Sequence, residues 1–152
     1  MFHFDLNLIS ICILPILIGL GSARLFAPTN NINCTNYVPK LQPPGWVFAV
    51  VWPILYVLLG WGGALIYRSG SIWLLYPWMA LNFALAAWWV AFANICAPMY
   101  AFISIIAILI GTVSLIATMI VKISILSGLV ISPLALWLSF ASYLSYSLAV
   151  HS

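Results

Sequence analysis

For proton transfer the sequence offers one carboxylate side chain, Asp5, and two histidines, His3 and His151, at opposite ends of the chain. Acid-base and nucleophilic catalysis need such groups side by side, so a conventional triad or carboxylate pair is excluded. Cys12, Cys34 and Cys96 lack the close spacing of a zinc or iron-sulfur site, and no metal is expected. Cys34 and Cys96 would share one side of a membrane in a five-span topology, which leaves both a disulfide and unpaired thiols open. Aromatic surface, by contrast, is plentiful: eight Trp, seven Tyr and eight Phe can stack on a flat apolar ligand or form interfacial belts.

The elements that must position these rings follow from the solvent. Only Asp5, Arg24, Lys40, Arg68 and Lys122 carry a full charge, and none interrupts an apolar run. At 66% hydrophobic and 3% charged residues, the chain cannot cover a water-facing surface, which in soluble domains is about a quarter charged. Windows of about 20 residues, long enough for a hydrocarbon core of about 30 Å, give five spans. They run from Leu6 to Leu25, Trp46 to Tyr67, Ile72 to Cys96, Met99 to Val121 and Ile125 to Val150. Backbone groups in hydrocarbon must be paired within the segment, so the spans are helices. The expected class is an all-α integral membrane protein, a five-transmembrane-helix bundle forming one domain over 1–152. Pro15, Pro53, Pro77 and Pro133 fall within spans and read as kinks.

Short connections at 68–71, 94–98 and 122–124 join antiparallel neighbours, whereas the loop over 27–45 is long, rich in Asn and Pro, and has room for recognition. The first span reads as a retained helix, since no small-residue cleavage motif follows it. Five crossings place the two termini on opposite sides. Arg24 and Lys40 then oppose Arg68 and Lys122, so the positive-inside count is tied and orientation stays open, as does the identity of the membrane. The cations are scattered singly, which argues against nucleic acid as a partner.

Trp46, Tyr67, Trp73 and Trp78 lie near span ends and are expected in the interfacial belts. Trp52 and Trp137 lie well inside their spans. Trp52 precedes Tyr56, and Trp137 precedes Ala141, by one turn on the same face. Each indole needs a partner or a ligand, and packing and cavity lining both remain open. Asn82, an amide in mid-span, either joins two helices or lines a cavity. Ala80, Ala84, Ala87 and Ala91 form a small-residue stripe suited to a homodimer, or to packing within one monomer.

The stretch Tyr37-Val-Pro-Lys-Leu-Gln-Pro-Pro-Gly-Trp-Val-Phe-Ala-Val-Val-Trp-Pro-Ile-Leu-Tyr56 resembles the signature of the TspO/MBR family, the tryptophan-rich sensory or translocator proteins. Gly19 and Gly21, Leu81-Asn82, and Pro133 with Trp137, Phe140-Ala141 and Leu144 agree with it in order and spacing. The resemblance implies five helices around a pocket beneath the first loop that binds porphyrins, related tetrapyrroles, sterols or benzodiazepine-like drugs, with no obligatory cofactor. It implies ligand contacts at Trp52, Tyr56, Asn82, Leu85, Trp137 and Ala141. Arg24, Lys40, Pro43, Pro44 and Trp46 would surround the mouth. Some bacterial members support light-dependent porphyrin breakdown, and the resemblance places Trp52 and Trp137 at the tryptophans implicated in it.

The chain also departs from the family pattern. Leu85 stands for Trp, Ala87 for Pro, Trp89-Val90 for a Phe pair, Leu134 for Tyr and Ser145 for Asn, so the third-helix wall is rebuilt and the pocket loses two polar groups. No basic residue follows Lys122, so the C-terminal cholesterol pattern is absent. The expected function is a membrane receptor for a hydrophobic tetrapyrrole with a regulatory or photochemical consequence. A ligand-free scaffold or assembly subunit, and a porphyrin or sterol transporter, are the alternatives.

Overall fold

A computed structural model describes residues 5–25, 37–94 and 97–151, with the backbone alone at 91–94. Five long helices carry the chain: α1 (Leu6–Leu25), α2 (Gly45–Arg68), α3 (Leu75–Asn94), α4 (Pro98–Lys122) and α5 (Ile125–Val150). At 1.5 Å per residue, their 20 to 26 residues reach about 30 Å or more, enough for each to cross a bilayer. Asp5 caps α1 by accepting the Asn7 N–H at 3.0 Å. Gly70, at φ 76°, supplies the left-handed turn after α2. Ser124 caps α5 through the Ser127 N–H.

The expected third span does begin at Ile72, but not as α-helix. Ile72–Leu74 form a single 3-10 turn, and α3 begins only at Leu75. An α-helix begun at Ile72 would need a Pro77 N–H to bond the Trp73 carbonyl, and proline has none. Starting at Leu75 puts Pro77 in the first turn, where no donor is required. Deeper prolines need another remedy: Pro133 frees the Leu129 carbonyl, and the Ser132 hydroxyl takes it at 2.8 Å. Other hydroxyls fold back on their own helices, as in Thr112 to Ile108 O and Ser142 to Leu138 O, which satisfies them in an apolar solvent.

Packing arranges the helices in a ring. α1 lies against α2 and α3, α2 against α5, α5 against α4 along most of their length, and α4 against α3, while α2 and α3 touch only slightly. Gly60 lets α1 approach α2 closely, since a side chain there would collide with the Cys12 carbonyl oxygen. Across the ring Trp78 joins α3 to α2. It is fully buried, and its N–H reaches the Leu59 carbonyl at 2.9 Å. Trp78 is therefore no belt residue. A position near the start of a span faces the core here because α3 turns that side inward, whereas Trp46 and Trp73 are exposed as expected.

The alanine stripe on α3 is not one outward face. Ala80 and Ala87 are exposed, but Ala84 packs against the monomer's own core, and the Ala91 side chain lies outside the described residues. Cys34, Cys96 and His3 also lie outside them, so the Cys34–Cys96 pairing has no counterpart to report; Cys12 is a free thiol.

A candidate ligand site between aromatic walls

Two helical repeats turn aromatic rings into the ring's interior. On α2, Trp52 and Tyr56 are one turn apart, and their rings stack at 5.6 Å. Tyr56 fits because residue 19 on α1 is glycine: any β-carbon there would overlap the phenol ring. Gly21, by contrast, approaches nothing. From α3, Trp88 faces Trp52 at 6.4 Å and ties itself to α4 through an N–H bond to Ala101 O at 3.1 Å. From α5, Trp137 meets Phe48 edge-on at 5.5 Å.

Between these rings are two lobes that share Phe48, Trp52, Trp88 and Trp89 as a common wall. The lobe on the α1 side is about 280 Å³ and is closed by Gly19, Ala23, Pro53, Tyr56 and Leu85. The lobe on the α5 side is about 330 Å³ and is closed by Trp137, Ala141, Leu144 and Ser145, with Pro39 and Gln42 of the loop as its roof. Each volume lies near the lower end of the range for ligand pockets, roughly 300–1,000 Å³. The walls are almost wholly apolar. The Tyr37 ring stacks on His151 at 3.9 Å, and its hydroxyl meets that of Ser147 at 3.2 Å, which fastens the loop to the end of α5. The His151 Nδ1–H donates to Ser147 O at 2.8 Å, since a carbonyl can only accept.

Of the residues expected to touch a ligand, Trp52, Tyr56, Leu85, Trp137 and Ala141 line these lobes. Asn82 does not. It is buried, but its amide donates to the Trp78 carbonyl of its own helix at 2.8 Å, so it neither joins helices by that bond nor reaches either lobe. Around the mouth, the roof is made by Pro39, Gln42 and Gly45 rather than by Lys40, Pro43, Pro44 or Trp46. Lys40 is exposed, and Arg24 borders an open groove along α1 with Leu17 and Leu20. Phe48, Trp88 and Trp89 were not anticipated as lining. Their only sequence signal is the i+4 step from Phe48 to Trp52 and the adjacency of two tryptophans on a helix apolar on all sides. Among the described residues, no three His, Cys, Asp or Glu side chains gather into a metal-binding group.

Five membrane-length helices around an aromatic cavity define a multi-pass integral membrane protein. The TspO/MBR family model matches residues 9–151, nearly the whole chain, and the protein belongs to that family. Membership assigns it a membrane ligand-binding or transport role in general. No individual curated protein matches it significantly.

Proposed function

We propose that the chain is a membrane receptor for a porphyrin or related hydrophobic tetrapyrrole, held between the α2, α3 and α5 aromatic walls. The observation that carries this reading is the wall of Phe48, Trp52, Trp88 and Trp89 shared by two lobes, the α5-side one roofed by the loop. Indole faces in a dry cavity suit a flat macrocycle. A macrocycle is larger than either lobe, so it would occupy both and displace a ring of the dividing wall. The site holds no acid-base pair, so the chemistry we propose is photochemical: light and oxygen act on the bound pigment, with Trp52 and Trp137 beside it.

Titrating the purified protein with protoporphyrin should quench its tryptophan fluorescence saturably. Trp52→Phe and Trp137→Phe should each weaken binding roughly twofold to tenfold, the value of one ring stack. Illumination in air should then bleach the bound porphyrin more slowly in both variants than the affinity loss explains, because phenylalanine is harder to oxidise than indole. Trp73→Phe, at an exposed ring, serves as the control. Absence of quenching, or equal behaviour of all three variants, would return the tryptophans to a packing role and favour the scaffold reading.

A homodimer through α3 is a separate proposal, supported by the exposure of Ala80 and Ala87 one face-repeat apart. Replacing both with leucine should shift a detergent-solubilised dimer toward monomer with the helical signal unchanged. A dimer that persists would place the contact elsewhere. Ala84 is unsuited to this test, because enlarging it would disturb the monomer's core.

A further inference from the structure

The α1-side lobe has a side toward the bilayer. Two of the residues that line it, Leu20 on α1 and Ala49 on α2, are exposed, which brings the lobe to the lipid-facing surface between these helices. Leu20 and Ala23 also line the open groove along α1, where a β-carbon on Gly21 would meet nothing and where Arg24 stands at the end. Groove and lobe thus share a wall, and an apolar path leads from Arg24 to Trp52 and Leu85. Arg24 has no counter-charge on any side chain of the protein. The one carboxylate side chain is Asp5, which caps the other end of α1 about 28 Å away at 1.5 Å per residue. Arg24 itself is exposed in the last turn of its span, at the level where headgroups lie.

We infer that an anionic phospholipid of the adjoining leaflet binds here, its phosphate paired with the Arg24 guanidinium and one acyl chain passing Leu20 and Ala23 into the α1-side lobe. The guanidinium fork matches phosphate oxygens, and a zwitterionic headgroup would bring its own ammonium to compete for them. The chain has a physical reason to enter. The lobe is apolar, so water inside it would find too few partners, and left empty it would deprive its walls of dispersion contacts. Depth fits as well: the α2 wall from Phe48 to Tyr56 lies about 5–16 Å below the start of that helix, close to the roughly 15 Å that one leaflet's chains occupy. This inference does not need the porphyrin reading. A macrocycle that fills both lobes would have to displace the chain.

Photo-crosslinking tests both ends of the lipid. The protein is placed in phosphatidylcholine vesicles with a trace of phosphatidylglycerol that carries a diazirine midway along one acyl chain, irradiated, and its adducts mapped by mass spectrometry. Adducts are expected on residues inside the lobe, namely Trp52, Pro53 and Leu85. Unlabelled phosphatidylglycerol should suppress them about fivefold more effectively than phosphatidylcholine, the value of one cation at an anionic headgroup. In Arg24→Gln that ratio should fall to about one, whereas Lys40→Gln, which removes an exposed cation from the same end of the bundle but outside the groove, should keep it. Adduct mapping uses the unsubstituted protein, so misfolding of a variant does not remove the test. Adducts confined to the outer face of α1, at Ile13 and Leu17, would mark an ordinary surrounding lipid and overturn the inference. Equal competition by the two lipids, or equal loss of the preference in both variants, would overturn it too. Each of these results leaves the receptor reading standing, because protoporphyrin titration decides that one separately.

Discussion

Trp78→Ala is expected to lower the thermal unfolding midpoint by about 10 °C or more, the largest stability loss of any single tryptophan. Trp78 is the largest fully buried side chain among the described residues, and it fills the space where α2 and α3 have little backbone contact. Its ring lies in a groove that exists because residue 63 is glycine, with Ile11 of α1 against the same point. Truncating a buried aromatic costs about 3–5 kcal/mol through lost contacts and the cavity left behind. In a domain of this size each kcal/mol moves the midpoint by roughly 2–4 °C. Trp78→Phe should cost much less. It loses the N–H donor to Leu59 O, but that carbonyl keeps its helical partner, so no buried group is orphaned. Circular dichroism melting of both variants beside Trp73→Ala checks this. Equal midpoints for Trp78→Ala and Trp73→Ala would mean that Trp78 is not the strut between α2 and α3.

Trp78 also marks the boundary between what one sequence reveals and what packing decides. The ends of α1 and α4 and the start of α5 were legible because Arg24, Lys122 and Ser124 punctuate apolar runs, and the charges that stop a span are written in the chain. The start of α3 was legible in principle, since Pro77 forbids a helix begun at Ile72, but a hydropathy window does not register a missing N–H. Which face of a helix turns inward is another matter. In water an apolar stripe marks the core, but α3 is apolar on all sides, because both lipid and protein interior accept the same residues. Trp78 and Trp88 thus differ from Trp73 only through tertiary contacts. Trp52, Tyr56, Trp137 and Ala141 were visible because the i+4 repeat pairs them on faces that proved to turn inward. Asn82 misled because its chemistry was clear but its partner, the Trp78 carbonyl one turn back, was not.

The alanine at position 141 allows the interior to be closed without dismantling the fold. Ala141 is buried on α5, one turn after Trp137, and its methyl group forms part of the 330 Å³ lobe. A larger side chain on a helix points back toward the N-terminal turn, which here carries it toward the space beside Trp137. Ala141→Phe would place a benzyl ring where a ligand must lie, in a volume that the native chain leaves unfilled. Overpacking a tight core costs about 1–3 kcal/mol, whereas filling a cavity costs little and often stabilises. The thermal midpoint should therefore hold within a few degrees or rise. Affinity for protoporphyrin should drop by at least about a hundredfold, equivalent to about 2.7 kcal/mol, because the loss is steric rather than the removal of one stacking contact. The two readouts separate the functional readings. A receptor whose site includes this lobe keeps its stability and loses its ligand, and a scaffold whose rings only pack binds no porphyrin before or after the change. If the variant melts normally and still binds porphyrin with native affinity, the macrocycle does not enter the α5-side lobe, and the reading in which it spans both lobes falls.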